Sequence, residues 1–142
     1  MGLDMYLTGE KYLAENFDHP EKNVMEDGFR VKSRRLELGY WRKHPNLHGF
    51  IVQNFASGQD KCQEIYLTAI DLNRIIKAVK ERKLPHTTGF FFGVSPGSDE
   101  EMENDLRILE AAQTWILDRP PEQEGDNRVF QESRLVIYQA SW

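Results

Sequence analysis

Leu36-Glu37-Leu38-Gly39-Tyr40-Trp41-Arg42-Lys43-His44-Pro45-Asn46-Leu47-His48-Gly49-Phe50-Ile51 changes its period halfway along. Up to Tyr40 the apolar residues alternate. Leu36, Leu38 and Tyr40 share one face of a strand that starts near Arg30. After Pro45 the spacing turns helical, with Leu47, Phe50, Ile51 and Phe55 in one stripe that Ser57-Gly58 ends. Proline suits a first helical turn because it has no amide hydrogen to lose there. A strand feeding directly into a helix is the unit from which mixed folds are built.

The same alternation extends in both directions. Leu3-Asp4-Met5-Tyr6-Leu7 reads as a first strand, and the polar stretch from Asn16 to Asp27, with Pro20 and Gly28, reads as a loop. Cys62–Leu67 reads as a strand. Thr68 then caps a helix, with Asp71 three residues on in the capping-box place. Leu72, Ile75, Ile76 and Val79 form its apolar stripe, and Lys77, Lys80, Arg82 and Lys83 load its last turn and exit. Leu84-Pro85 stops it. Thr88-Gly89-Phe90-Phe91-Phe92-Gly93 reads as a central strand with aromatics on both faces. Pro96-Gly97 makes a turn, and Ser98 caps a helix opening on Asp99, Glu100 and Glu101. Its inner face is expected at Met102, Leu106, Leu109, Gln113 and Ile116, and Pro120-Pro121 ends it. A loop through Gly125 leads to a last strand, Leu135–Tyr138.

The expected order is β-β-α-β-α-β-α-β. Residues 1–142 are read as a single α+β domain, a mixed or antiparallel sheet of about five strands covered by about three helices.

Composition narrows the function classes. At 142 residues, with 39% hydrophobic and 29% charged residues, the chain has the balance of one globular domain. No apolar run approaches the ~18 residues of a membrane helix. The start, Met1-Gly2-Leu3-Asp4-Met5-Tyr6, lacks a signal peptide's basic and apolar regions and places Tyr6 where myristoylation wants Ser or Thr. The expected location is the cytoplasm, without membrane association. Cys62, the single cysteine, excludes an intramolecular disulfide and, without an activating motif, is expected to be a half-buried strand residue. A net charge of −5 argues against general nucleic-acid binding. The charge is nonetheless uneven. Arg30, Lys32, Arg34, Arg35, Arg42 and Lys43 cluster against Glu37 alone, while Asp99–Asp126 is strongly acidic.

Site-type residues concentrate in two segments. In the first, Tyr40, Trp41, Arg42, Lys43, His44 and His48 surround a strand-to-helix junction, where exposed amides favour an anion. Arg42 and Lys43 bring charge, and Trp41 brings a face for a base. The bland alternative is that Trp41 and His48 pack in or near the core, with Arg42 and Lys43 solvated. His44 and His48 stand one turn apart, a spacing that suits a metal pair. No Glu lies between them in the metalloprotease manner and no third ligand is evident, so no metal and no cofactor is expected. The second segment, Leu84–Gly93, offers His86 and Thr88. His86-Thr87-Thr88 contains one His-x-Thr unit of the kind paired in some cyclic-phosphodiester hydrolases, but no second copy exists. Tyr6 and Trp142 are expected as further walls. Phosphate loops, dinucleotide fingerprints and nucleophile elbows are missing.

These segments carry a resemblance. The start Met1-Gly2-Leu3-Asp4-Met5-Tyr6, the runs Tyr40–Gly49 and Leu84–Gly93, and the closing Ser141-Trp142 resemble, in the same order, a family of small uncharacterised phage, prophage and bacterial proteins. Members are sometimes labelled phosphoglycerate kinase. This chain is too short for two kinase lobes and has no phosphate loop, so that label does not carry over. The resemblance implies an accessory or counter-defence context, and hence host cytoplasm.

The leading expectation is a protein that binds a small anionic, nucleotide-like ligand through Tyr40, Trp41, Arg42, Lys43, His44, His48, His86, Thr88 and Trp142, sequestering a host defence signal. One alternative is a phosphoester-processing enzyme using histidine acid–base chemistry, although no catalytic motif is found. Another is an inhibitor that meets a basic host protein through its acidic surface. Homo-oligomerisation is compatible with each.

Overall fold

A computed structural model describes residues 2–89, 91–118 and 132–142. Four strands form one antiparallel sheet: β1 (Asp4–Leu13), β4 (Ser33–Arg42), β5 (Ile65–Leu67) and β6 (Glu132–Ser141), in the order β4-β1-β6-β5. Three helices, α1 (Pro45–Phe55), α2 (Ala69–Lys80) and α3 (Asp99–Leu117), complete an α+β fold. Two-residue strands β2 (Met25–Glu26) and β3 (Phe29–Arg30) make a separate ribbon. Its turn is Asp27-Gly28, both at positive φ (54° and 83°), as a tight hairpin demands. The loop expected over Asn16–Asp27 therefore ends in a hairpin whose Asp-Gly signal was in plain view.

Strand period two decides which side of the sheet meets the helices. Met5, Leu7, Val136, Tyr138 and Ala140 face the core with Leu47, Ile51, Leu72, Ile75 and Leu109 from the helices. Asp4, Tyr6, Tyr40 and Gln139 lie on the other face, where Tyr6 and Tyr40 are exposed. Tyr6 pairs with both Tyr40 and Gln139. β1 runs longer than its apolar stretch suggested, because its outward positions Asp4, Tyr6, Thr8 and Glu10 are polar or aromatic and only alternate residues need burial. β6 also runs longer, and carries Leu135 and Ile137 on the outward face.

Leu36, Leu38 and Tyr40 do not share a face. Leu7 pairs with Gly39 and Thr8 with Glu37, so Leu38 is an extra residue in β4, a bulge. Leu38 packs against the core while Tyr40 is exposed. Gly39, just after the bulge, has no room for a side chain: a Cβ there would sit 2.2 Å from Ile108 Cγ2 on α3.

The helix signals hold in detail. Asp71 N–H donates to Thr68 Oγ1 (3.1 Å), and Thr68 N–H donates to Asp71 Oδ2 (2.9 Å), completing the capping box. Ser98 Oγ accepts from Glu101 N–H. Such caps contribute ~1 kcal/mol each. The inner face of α3 is rotated from the expected one, its fully buried residues being Asp105, Ile108, Leu109 and Ala112. Met102, Leu106 and Ile116 flank this stripe. The expected helix end at Pro120-Pro121 and the loop through Gly125 lie outside the described residues.

Two strand expectations fail. The described part of Thr88–Gly93 is loop. Phe92 N–H donates to Gly89 O, and the Phe92 ring folds back over Gly89, where a Cβ would lie 2.3 Å from it. Phe91 is left-handed at φ 63°, so local turn chemistry and burial of one ring override aromatic strand propensity. Cys62 is half-buried, but at φ 58° it belongs to the turn before β5, which starts only at Ile65. No described helix is long and apolar enough to cross a membrane.

Candidate functional site

The junction between β4 and α1 sorts its residues by strand alternation and one left-handed turn. Trp41 is buried, while Tyr40 and Arg42 point to the open face. Lys43 then adopts φ 53°, its amide donating to Leu3 O, and the chain turns under the sheet into α1. His44 caps that helix and His48 sits one turn later; both are buried, at 3% and 2% exposure.

Each histidine is held at both ring nitrogens. His44 Nδ1 lies 2.7 Å from Ser95 Oγ and its Nε2 lies 2.8 Å from Asp105 Oδ2. His48 Nδ1 lies 2.6 Å from the Tyr138 hydroxyl and its Nε2 lies 3.0 Å from Asp60 Oδ2. An ionised carboxylate only accepts, so in the neutral ring Nε2 carries the proton and Nδ1 accepts from the hydroxyl. Burial, then the Asp60 charge, pushes the Tyr138 pKa well above its ordinary value.

Asp105 also accepts from Trp41 Nε1–H at 2.9 Å, so both its oxygens are bound although the residue is 1% exposed. Glu101, one turn earlier on α3, brings Oε1 to 3.7 Å from His44 Nε2. A cleft of about 120 Å³ opens against this group, lined also by Asn46, Arg82, Ser98 and Met102. Arg82 at its wall pairs with Asp99. A buried imidazole between a hydroxyl and a carboxylate, bordering a cleft, can exchange protons with a bound molecule or bind an ion.

The two segments singled out in the sequence do lie side by side. Thr87 N–H donates to Asn46 Oδ1 (3.0 Å), and Asn46 N–H donates to Ser95 Oγ (3.1 Å), pinning the loop after α2 to the start of α1. Gly49 permits this approach: a Cβ there would lie 2.0 Å from Thr87 Oγ1. The nine expected residues separate all the same. Trp41 and His44 meet at Asp105. His48 and Trp142 meet through ring contacts, with Phe92 between them: Trp142 is 6.0 Å from His48 and 5.7 Å from Phe92, both edge-on. His86 and Thr88 are exposed, and neither has a side-chain partner among the described residues.

Tyr40 and Arg42 form a second group across the sheet. The Tyr6 and Tyr40 rings are 5.3 Å apart, and the Tyr40 hydroxyl donates to Asp4 Oδ1. That bond, and burial second, raises the Tyr40 pKa above its ordinary value. Asp4 stands on β1, which lies between β4 and β6 in the sheet. Arg42 pairs in register with Asp4 but makes no ion pair with it or with Glu37, and Lys43 is equally free of one, among the described residues.

Ser95, Asp60, Glu101, Asp105 and Tyr138 were not singled out as site residues from the sequence. Only Asp105 left a readable trace, an acid inside the apolar stripe that continues through Ile108, Leu109 and Ala112. No family model matches the chain, and no curated protein and no solved structure matches it either.

Proposed function

We propose that the protein binds a small anionic, nucleotide-like ligand at the open-face corner formed by Tyr6, Tyr40, Arg42 and Lys43. The observation that carries this reading is the state of the two cations. Arg42 and Lys43 are adjacent and exposed, and neither forms an ion pair among the described residues. Arg30, Arg35, Arg82 and Arg134, by contrast, each meet an acid. Beside Arg42 stands a pair of exposed rings, able to take the flat face of a base while the guanidinium fork takes phosphate oxygens. The nearby Asp4 carboxylate is engaged by the Tyr40 hydroxyl. Sequestration of a host signal by a phage-type accessory protein in the host cytoplasm is the role that suits such a binder.

Calorimetry against a panel of mononucleotides and cyclic oligonucleotides tests the proposal, followed by mass spectrometry of the recovered ligand. Saturable binding with intact recovery is expected, and absence of binding across the panel rejects it. The second reading, phosphoester processing, rests on His44, held between Ser95 and Asp105 at the edge of a cleft. Chemically altered ligand would favour it.

A further inference from the structure

We infer that His44, Glu101 and Asp105 form a binding site for one divalent metal ion at the head of the cleft beside α3. One donor atom from each residue lies within 4.8 Å of the other two. His44 Nε2 is 2.8 Å from Asp105 Oδ2 and 3.7 Å from Glu101 Oε1. Metal–nitrogen and metal–oxygen bonds of about 2.0–2.2 Å hold neighbouring ligand atoms roughly 3–3.5 Å apart. The two distances from His44 therefore already bracket the spacing an ion requires, and the two carboxylate oxygens lie within 4.8 Å of each other. Glu101 and Asp105 are successive turns of one helix, and His44 caps another, so all three are fixed by regular structure.

The surroundings of the donors point the same way. Metal-binding histidines and carboxylates are oriented through hydrogen bonds to their other atoms. Here Ser95 Oγ holds His44 Nδ1 and Trp41 Nε1–H holds Asp105 Oδ1, while Gly97 N–H donates to Oε1 of Glu101 itself, the oxygen nearest His44, and fixes its position. Charge supports it as well: two carboxylates flank one imidazole in a largely buried place, and Arg82, the one Lys or Arg among the described residues that line the cleft, is paired with Asp99. A divalent cation balances that excess. Binding needs Nε2 free of its proton. The neutral ring achieves this by taking the Nδ1–H tautomer and donating to Ser95 Oγ, whose own hydrogen turns away, with no net proton release.

One imidazole and two carboxylates suit a hard or borderline ion such as Mn²⁺ or Zn²⁺ rather than a soft one. With three protein ligands and a cleft in front, coordination positions remain for water or a ligand oxygen.

The test is titration of chelator-treated protein with ZnCl₂ and MnCl₂ by calorimetry, with melting temperature as a second readout. One ion per chain and a metal-dependent rise in melting temperature are expected. Glu101→Gln should weaken binding at least about tenfold and abolish the rise. Its metal-free melting should stay near the parent's, since the amide oxygen can still accept from Gly97. His19→Ala, which removes the exposed His19–Glu21 pair, should bind like the parent. The inference is overturned if the parent shows no saturable binding at millimolar metal, if Glu101→Gln binds as tightly, or if His19→Ala loses the site.

Discussion

The Tyr138 hydroxyl lies 2.6 Å from Nδ1 of His48, a residue 90 positions earlier in the chain. Strand β6 and helix α1 are locked together by this bond beneath the sheet, and the same imidazole reaches Asp60 on its far side. The hydroxyl is the donor here because Nε2 carries the ring proton toward Asp60 and leaves Nδ1 to accept.

Tyr138→Phe should therefore leave a buried imidazole nitrogen unpaired. The expected cost is ~1–3 kcal/mol, read as a lower midpoint in denaturant unfolding with unchanged slope. A variant as stable as the parent would show that the bond contributes nothing net.

The raised Tyr138 pKa also fixes a sign for alkaline pH. The native phenol holds its proton after the unfolded phenol, with a pKa near ~10, has released it. This contribution is complete below pH ~10 and is lost as pH rises further, at up to ~1.4 kcal/mol per pH unit. Denaturant titrations of parent and Tyr138→Phe above pH ~10 should show the shallower decline in the variant. Parallel curves would contradict the assignment.

Arg42→Lys keeps charge at the open-face corner but removes the planar fork. Melting should stay close to the parent's, because Arg42 has no ion pair to lose among the described residues. Affinity for whichever panel nucleotide binds should fall roughly ten- to hundredfold. Unfolding, or undiminished affinity, would remove Arg42 as the anchor.

Removal of Ser141 and Trp142 takes away the ring that covers His48 and Phe92 edge-on. Each such aromatic pair is worth ~0.5–1.5 kcal/mol, so the melting temperature should drop by several degrees. An unchanged melt would mark the terminus as a tail.

Gly39→Ala should destabilise by ~1–3 kcal/mol, because its methyl group would collide with Ile108 on α3. Combining it with Ile108→Ala should cost less than the sum of the two single changes. Strict additivity in that double-mutant cycle would show that β4 and α3 do not meet where Gly39 lies.

What could be read in advance was what neighbours in sequence decide. The period change around Tyr40–Pro45, the Thr68–Asp71 box and the Ser98 cap are interactions within four residues, and each is present. The partners of the histidines are not of that kind: Asp105 is 61 residues from His44. A bulge at Leu38 shifted the phase of β4, which single-strand alternation cannot anticipate. Adjacency in sequence suggests one pocket, yet neighbours on a strand face opposite ways, so Trp41 and Arg42 serve different sides of the sheet.

Strand β6, the last element of this sequence, lies inside the sheet, with β1 on one side and β5 on the other. During synthesis, the first strand waits with one unpaired edge until residues beyond 130 have emerged. The β1–β4 pair and the helices can gather earlier, but the layer they must cover is still incomplete. Such long-range closure is entropically expensive and slows folding, and it leaves open edges for another chain to occupy meanwhile. Nascent chains truncated before β6 should accordingly be protease-sensitive and prone to aggregation, whereas the full chain closes its own gap.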